Sequence, residues 1–305
     1  WRDEFDRMLL EKAAENGATV TPKAQVLEVL FDSDRAVGVR FQVTDKAGNR
    51  TEHQASCKVV VDASGQSAFL ASRLGLKSAD PHLKMGTIWS YWKNARRDEG
   101  RDEGATLIMQ TADKKSWFWF IPLQDNTTSI GCTGAMSYMF PKGCSPEETF
   151  ERELDRCPAM KERLENATRD RDYLTTKDYS YYATQGAGPG WLMVGDAFGF
   201  IDPVYSTGVF LALKSGEFAA DAIDAAIKAD DLSAESLGEW QATHREGVML
   251  FRKLVYAFYD PDFSFGSFLK ANPQYRKNVT DMLIGDVFKP GVGDIFDAMG
   301  EVVPK

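Results

Sequence analysis

Positive charge is in short supply: 36 lysines and arginines stand against 45 aspartates and glutamates, a formal charge of −9. With no basic run to offset it, this balance argues against a nucleic-acid binder, which needs clustered cations on the phosphates. Histidine is scarcer. His53, His82 and His244 are the whole supply, and none has another histidine three or four positions away. Zinc hydrolysis is disfavoured, and so is a Ser-His-Asp hydrolase, because no G-x-S-x-G elbow occurs. The four cysteines, Cys57, Cys132, Cys144 and Cys157, lack C-x-x-C spacing and suit reduced thiols of the cytoplasm better than a disulfide framework. No apolar run approaches the ~20 residues of a membrane span, and no secretory leader is visible. A G-x-G-x-x-G nucleotide loop is missing too, as are internal repeats and low-complexity segments. Hydrolytic chemistry thus has no obvious residues, and a cofactor fits that gap.

The material for a fold is ample. Of 305 residues, 43% are hydrophobic and 12% aromatic, enough for one large domain or two. The most informative stretch is Trp191–Ile223, WLMVGDAFGFIDPVYSTGVFLALKSGEFAADAI. A short buried strand runs into Gly195-Asp196, then a loop with Gly199 and Pro203, then a long helix opening at Ser206-Thr207-Gly208. First-turn N–H groups lack intrahelical partners and carry the positive end of the helix dipole, so an anion, phosphate or sugar hydroxyl can sit there. Asp196, at the carboxyl end of a strand, is placed to accept hydrogen bonds from a ribose or ribityl hydroxyl, or to cap a turn. Asp202, before Pro203, is an extended residue whose carboxylate can hold the loop. Ser206 and Thr207 are natural helix caps.

Trp1–Asn16 reads as a helix with Phe5, Met8, Leu9 and Ala13 on one face. Gln25–Phe31, Ala36–Val43 and Arg50–Ala55 form a meander, and Lys58–Asp62 is a continuous apolar strand of the parallel type. Gln66–Leu74 is a short helix. Met85–Lys93, Ala105–Thr111, Trp117–Leu123 and Thr127–Thr133 make an antiparallel sheet, followed by helix over Pro146–Leu164 and strand over Arg169–Ala183. From Ser206 the chain is mostly helical. The aromatics Phe251, Tyr256, Phe258, Tyr259, Phe263, Phe265 and Phe268 read chiefly as packing, with a lid over the substrate mouth as the functional alternative.

Three motifs carry a family resemblance. G-D-A-x-x-x-x-D-P-V-x-S-x-G resembles the second flavin motif of FAD-dependent monooxygenases and halogenases. WFWFIP, Trp117–Pro122, is similar to the W-x-W-x-I-P pattern of flavin-dependent halogenases, and VVVDASGQ, Val59–Gln66, resembles the strand and loop before their substrate domain. The chain is identified as a member of the flavin-dependent halogenases, of the phenol and pyrrole branch. The resemblance implies an α/β fold: an FAD-binding domain, incomplete at its N-terminus, from 1–78 and 185–229; an inserted antiparallel substrate sheet at 79–184; and a helical tail at 230–305. It implies that Gly195, Asp196, Pro203, Gly208, Ala63 and Gly65 bind FAD and that Ser206, Thr207 and Gly208 hold chloride or bromide. Trp117, Trp119 and Tyr205 would line the substrate channel. Tyr205 stands where the tryptophan branch has glutamate, which points to a ring that supplies its own electron density.

The implied activity is halogenation of an electron-rich small aromatic, free or tethered to a carrier protein, using oxygen and reduced FAD from a separate flavin reductase. In relatives a segment like R-x-x-F-D-x-x-L-L follows the first nucleotide-binding unit and the catalytic lysine. This chain therefore looks like the later part of a larger protein, with that lysine outside it, weak FAD affinity alone and no activity alone. An FAD-dependent hydroxylase, a prenyl-chain reductase, or a binding module that kept the fold without the flavin are the alternatives.

Overall fold

Val60–Asp62 (β1) and Trp191–Met193 (β2) are short, apolar and bounded by glycine-rich turns, the pattern of strands covered on both faces. In this computed structural model, which describes residues 1–300, they pair in parallel, with Trp191 opposite Val60 and Met193 opposite Asp62. Ala187–Gly188 adds an antiparallel edge to β2. Parallel pairing brings both carboxyl ends to one edge. The ladder ends with Val194 N–H donating to the Asp62 carbonyl at 3.0 Å, so the loops after β1 and β2 start side by side. Strand carboxyl ends are where open α/β sheets place ligands.

Gly208–Ala229 (α1) follows and docks through Ser215, Ala219, Ala222 and Ala226, all buried. That stripe of small residues, three or four apart, lets the helix approach the strands closely. The Ser215 hydroxyl accepts from Gly195 N–H at 2.8 Å. The shared core includes Leu70, Leu192, Met193 and Trp240. Each large apolar side chain buried there contributes roughly 1.5–3 kcal/mol. Gln241–Tyr259 (α2) is longer than its caps suggest, with no side-chain cap at Trp240. Its stability comes from burying Phe251, Leu254, Val255 and Ala257. The meander Ala24–Asp32, Arg35–Thr44, Arg50–Ser56 is present as read. The segment 66–74 is broken, because Ala68 takes φ +44 between a 3-10 turn and the helix Phe69–Arg73.

The chain divides into two compact units: Trp1–Ala18 with Leu83–Ser180, and Thr19–His82 with the chain from Tyr181 onward. The first is built on an antiparallel sheet in the order Thr168–Arg169, Met85–Lys93, Thr127–Ala135, Ser116–Pro122, Leu107–Gln110. Strand alternation sends Ile88, Trp92, Phe118, Phe120, Ile130 and Cys132 to one face, where Phe150, Leu154 and Met160 of the following helices cover them. Phe150 stacks on Trp92 at 5.2 Å and meets Phe118 edge-on at 5.4 Å. Its helix begins with a complete capping box, Ser145 with Glu148.

One strand reading needs correction. Arg169–Ala183 is not one strand. It is broken into Thr168–Arg169, Leu174–Lys177 and Tyr181–Ala183, separated at Asp170, Asp172 and Asp178, the last with φ +49. The final piece pairs with Lys77–Ala79 and Gly199–Phe200 rather than with the large sheet. The helix Arg2–Glu15 exists, yet none of its residues is buried, and Phe5 and Met8 are 37% and 53% exposed. Of the helical tail read at 230–305, residues 301–305 lie outside the described residues.

Candidate functional site

The loop after β1 is shaped by a residue the sequence reading did not single out. Asp62 is buried, and its carboxylate accepts from Ser64 N–H at 2.9 Å and Leu70 N–H at 2.7 Å. Of the two residues expected to touch cofactor here, Gly65 takes the left-handed φ of +64 and Ala63 is exposed. The loop after β2 opens with Gly195 at φ +56, a conformation costly to any residue with a Cβ. An added Cβ would also stand 3.1 Å from that of Ala212. The Asp196 carbonyl accepts from the Tyr181 hydroxyl at 2.5 Å.

Asp202 anchors the middle of this loop. It accepts from Val204 N–H at 2.9 Å, capping the turn Pro203–Tyr205, and from the Tyr259 hydroxyl at 3.1 and 3.2 Å. Burial pushes its carboxyl up to about 7, against the opposing pull of those two donors. Ser206 is exposed at φ +54 and turns the chain into α1. Thr207 is the N-cap residue and is buried, but its side chain makes no capping hydrogen bond. The hydroxyl cap read from Ser206-Thr207 is therefore not formed, because Thr207 has helical backbone angles, φ −86 and ψ −10, rather than the extended ones a cap needs.

Gly195, Asp196, Asp202, Thr207 and Gly208 line one wall of a cavity of about 440 Å³. Phe198 and Phe200 add an apolar side, and α2 closes it with His244, Arg245, Val248, Met249, Arg252 and Tyr256. These α2 positions recur at one, four and five residues, a single helix face. His244 is buried, neither ring nitrogen has a hydrogen-bond partner, and burial drives its pKa down to about 4. It is neutral at ordinary pH. Arg252 pairs with the fully buried Asp80 at 3.1 Å, which also accepts from the Tyr256 hydroxyl at 2.9 Å and the His82 N–H at 2.9 Å. The α2 wall is not legible in the sequence, because its charged positions stand singly among the tail's aromatics and carry no motif.

Pro203, Tyr205 and Ser206 belong to the loop but not to the cavity's lining. Tyr205 packs edge-on against Phe258 at 6.0 Å, and its hydroxyl donates to the Leu254 carbonyl at 3.4 Å. Trp117 and Trp119 lie in the unit of the large sheet, on the face opposite Phe118 and Phe120. Trp119 covers Gly131, where an added Cβ would come within 2.1 Å of its ring, and donates from Nε1 to Ser129 Oγ at 3.2 Å.

The residues present fit a bound flavin. Gly208 leaves open space where its Cβ would meet nothing nearer than Phe200 at 3.8 Å, and Gly195 allows backbone to face a ligand. Asp196 stands at the strand end between them. Among the described residues no group of three or more His, Cys, Asp or Glu could hold a metal. No helix of the described residues is long and apolar enough to cross a membrane.

Parallel strands with ligand loops at one end and an antiparallel sheet carrying WFWFIP define the α/β fold of FAD-dependent halogenases. The flavin-dependent brominase Bmp2 superimposes with a TM-score of 0.86 at 30% identity, over 97% of this chain and 73% of that one. Residues 2–268 match the family model for tryptophan halogenase, and the chain belongs to that family of flavin-dependent halogenase enzymes. It is 30% identical over 311 residues to the 1H-pyrrole-2-carbonyl-[peptidyl-carrier protein] chlorinase of Pseudomonas fluorescens, covering 99% of this chain and 67% of the relative. The corresponding brominase of Pseudoalteromonas luteoviolacea is also 30% identical, over 94% of this chain and 69% of its own length. Against the flavin-dependent halogenase armH1 of Armillaria mellea the identity is 32%, over 78% of this chain and about half, 48%, of that protein.

Proposed function

We propose that the Gly195–Gly208 loop holds FAD and a chloride or bromide ion, and that the protein halogenates an electron-rich pyrrole or phenol ring, free or carried on a carrier protein. Reduced FAD comes from a separate flavin reductase. The observation that carries this reading is the meeting of Gly195, Asp196, Thr207 and Gly208 on one cavity at the start of α1. Asp196 would take the ribityl hydroxyls, and Gly195, Pro203 and Gly208 would let backbone lie against the ring, with Ala63 and Gly65 on the neighbouring loop. When bound, FAD supplies the oxygen chemistry that turns halide into an electrophile. The halide is a substrate, held by first-turn N–H groups near Ser206, Thr207 and Gly208, where the helix dipole favours an anion. Phe198 and Phe200 exclude water, which would otherwise intercept the reactive halogen. No carboxylate stands at Tyr205, so the ring must bring its own electron density.

The test supplies the protein with FAD, a flavin reductase, NADH, oxygen and bromide against a panel of pyrroles and phenols. Mass spectrometry should find a bromine isotope doublet that disappears without bromide. A hydroxylated product instead would move the protein to the monooxygenases.

A further inference from the structure

Two buried acids receive hydroxyls from α2, and they differ in charge balance. Asp80 is paired with Arg252 at 3.1 Å. Asp202 is 4% exposed and makes no ion pair among the described residues. Its carboxylate has two donors there, the Val204 N–H at 2.9 Å and the Tyr259 hydroxyl at 3.1 Å, and both are neutral. A carboxylate taken out of water without a cation is far costlier ionised than protonated. The loop that buries it runs on through Ser206 into the first turn of α1, and Asp202, Thr207 and Gly208 line one cavity. A halide at that turn and an ionised Asp202 are like charges in one apolar-walled space, where repulsion is weakly screened. The other charged and titratable groups around it do not compensate it. Burial, and then the Asp202 charge, push the neighbouring Tyr205 hydroxyl up, so it stays neutral. Across the cavity Arg252 is committed to Asp80, and Arg245 to the carbonyls of Ala183 and Thr184 at 3.1 Å. His244 is neutral, with burial driving its pKa down to about 4, and His82 meets Tyr256 edge-on at 5.8 Å. Asp196 adds a second acid to the lining. The cavity is nevertheless built for a polar occupant, since both ring nitrogens of His244 and the Arg252 Nε are buried without partners.

We propose that Asp202 is the proton-linked residue of the halide site: chloride or bromide binds at the first turn of α1 only while Asp202 is protonated, so the ion enters together with a proton. The proton comes from solvent and bonds to a carboxylate oxygen, so the pair adds no net charge to the cavity. Linkage makes the effect reciprocal. A halide that binds the protonated form tightens the carboxyl's hold on its proton, and ionisation weakens halide binding by the same factor. Burial already pushes the Asp202 carboxyl up to about 7, which places the change near neutral pH. This deepens the halide assignment by naming what regulates it, and it rests on that assignment.

Bromide alone, added to the full chain without flavin, tests it through the line width of the bromide NMR signal and through proton uptake in a pH-stat. Affinity should fall about tenfold or more between pH 6 and pH 8.5, and bromide added at pH 8 should draw in most of a proton per ion bound. Asp202→Asn keeps an acceptor for Val204 and Tyr259 but cannot ionise. It should bind bromide at pH 8.5 within about threefold of the parent at pH 6, with no proton uptake. Tyr259→Phe removes a donor that favours the ionised form, so the fall should move to higher pH, and this variant serves if Asp202→Asn folds poorly. His82→Gln should keep the parent's profile. Bromide affinity flat with pH in the parent, a fall that survives in Asp202→Asn, or one that vanishes in His82→Gln would overturn the proposal and leave the halide site standing. No bromide binding at pH 6, in the parent or in Asp202→Asn, would overturn the halide assignment and this inference with it.

Discussion

The Tyr256 hydroxyl donates to both carboxylate oxygens of Asp80, at 2.9 and 3.2 Å, across 176 positions of sequence. One turn further along the same helix, Tyr259 does the same to Asp202 at 3.1 and 3.2 Å. The helix Gln241–Tyr259 is thus tied by two tyrosines to two buried carboxylates, one beside Pro81 and His82 and one in the middle of the Gly195–Gly208 loop. Through these contacts the wall carrying His244 and Arg245 keeps its register with the loop.

Removing one tie should be measurable without unfolding the protein. Tyr256→Phe deletes a hydrogen bond to a buried charge that keeps its Arg252 partner, and should cost about 1.5–3 kcal/mol. Arg252→Met leaves Asp80 uncompensated by any cation and should cost more, about 3–5 kcal/mol. Urea unfolding should show lower midpoints with unchanged slopes, in that order. Equal losses would mean the ion pair adds nothing beyond the hydroxyl.

Two groups lining the cavity should give opposite pH dependences. Asp202 is raised to about 7 from 3.8, so the folded state holds a proton the unfolded chain has lost, and its share of stability falls between about pH 4 and 7. His244 is lowered to about 4 from 6.5, so the unfolded chain holds the extra proton, and its share rises with pH over about 4 to 6.5. The two slopes oppose each other in the parent. Asp202→Asn should therefore gain stability as pH rises from 4 to 6.5, and His244→Phe should lose it. Melting temperatures across that range decide the point, and parallel curves for the two variants would sink it.

On the large sheet, Gly131→Ala should be among the most damaging of conservative changes. The new methyl would overlap the Trp119 ring, with three ring atoms inside 2.6 Å. Overpacking of this kind costs about 1–3 kcal/mol. Displacing Trp119 also breaks its bond to Ser129, so near-ultraviolet circular dichroism should change along with the melting point.

Gly195→Ala carries the flavin assignment. The left-handed backbone and the 3.1 Å contact with Ala212 together should cost about 1–2 kcal/mol and shift the loop. Flavin affinity, read by quenching of flavin fluorescence, should then fall about tenfold. Affinity that survives the change would mean that FAD is held elsewhere.

Much of the fold was legible because its signals are local. The meander showed in alternating residues and turn dipeptides, β1 and β2 in short apolar runs, and the long helix in its spaced alanines. Gly195, Asp196, Thr207 and Gly208 could be chosen from one contiguous loop. What failed was also local in cause. Strand propensity over 169–183 hid three aspartates that break it, and Thr207 looked like a cap until its backbone angles were known.

Motifs read along the chain carried the family resemblance, and local spacing marked the loops after β1 and β2 and the two faces of the WFWFIP strand, since periodicity and motif need only near neighbours. Tertiary structure alone decided that Asp80 and Asp202 are buried acids, that His244 is an unpartnered neutral ring, and that Arg245 faces the cavity. A charged residue on a helix carries no mark of which distant carboxylate, carbonyl or cavity it will meet. Burial and partnership belong to the packed molecule, and with them go the pKa shifts and the ligand chemistry of the site.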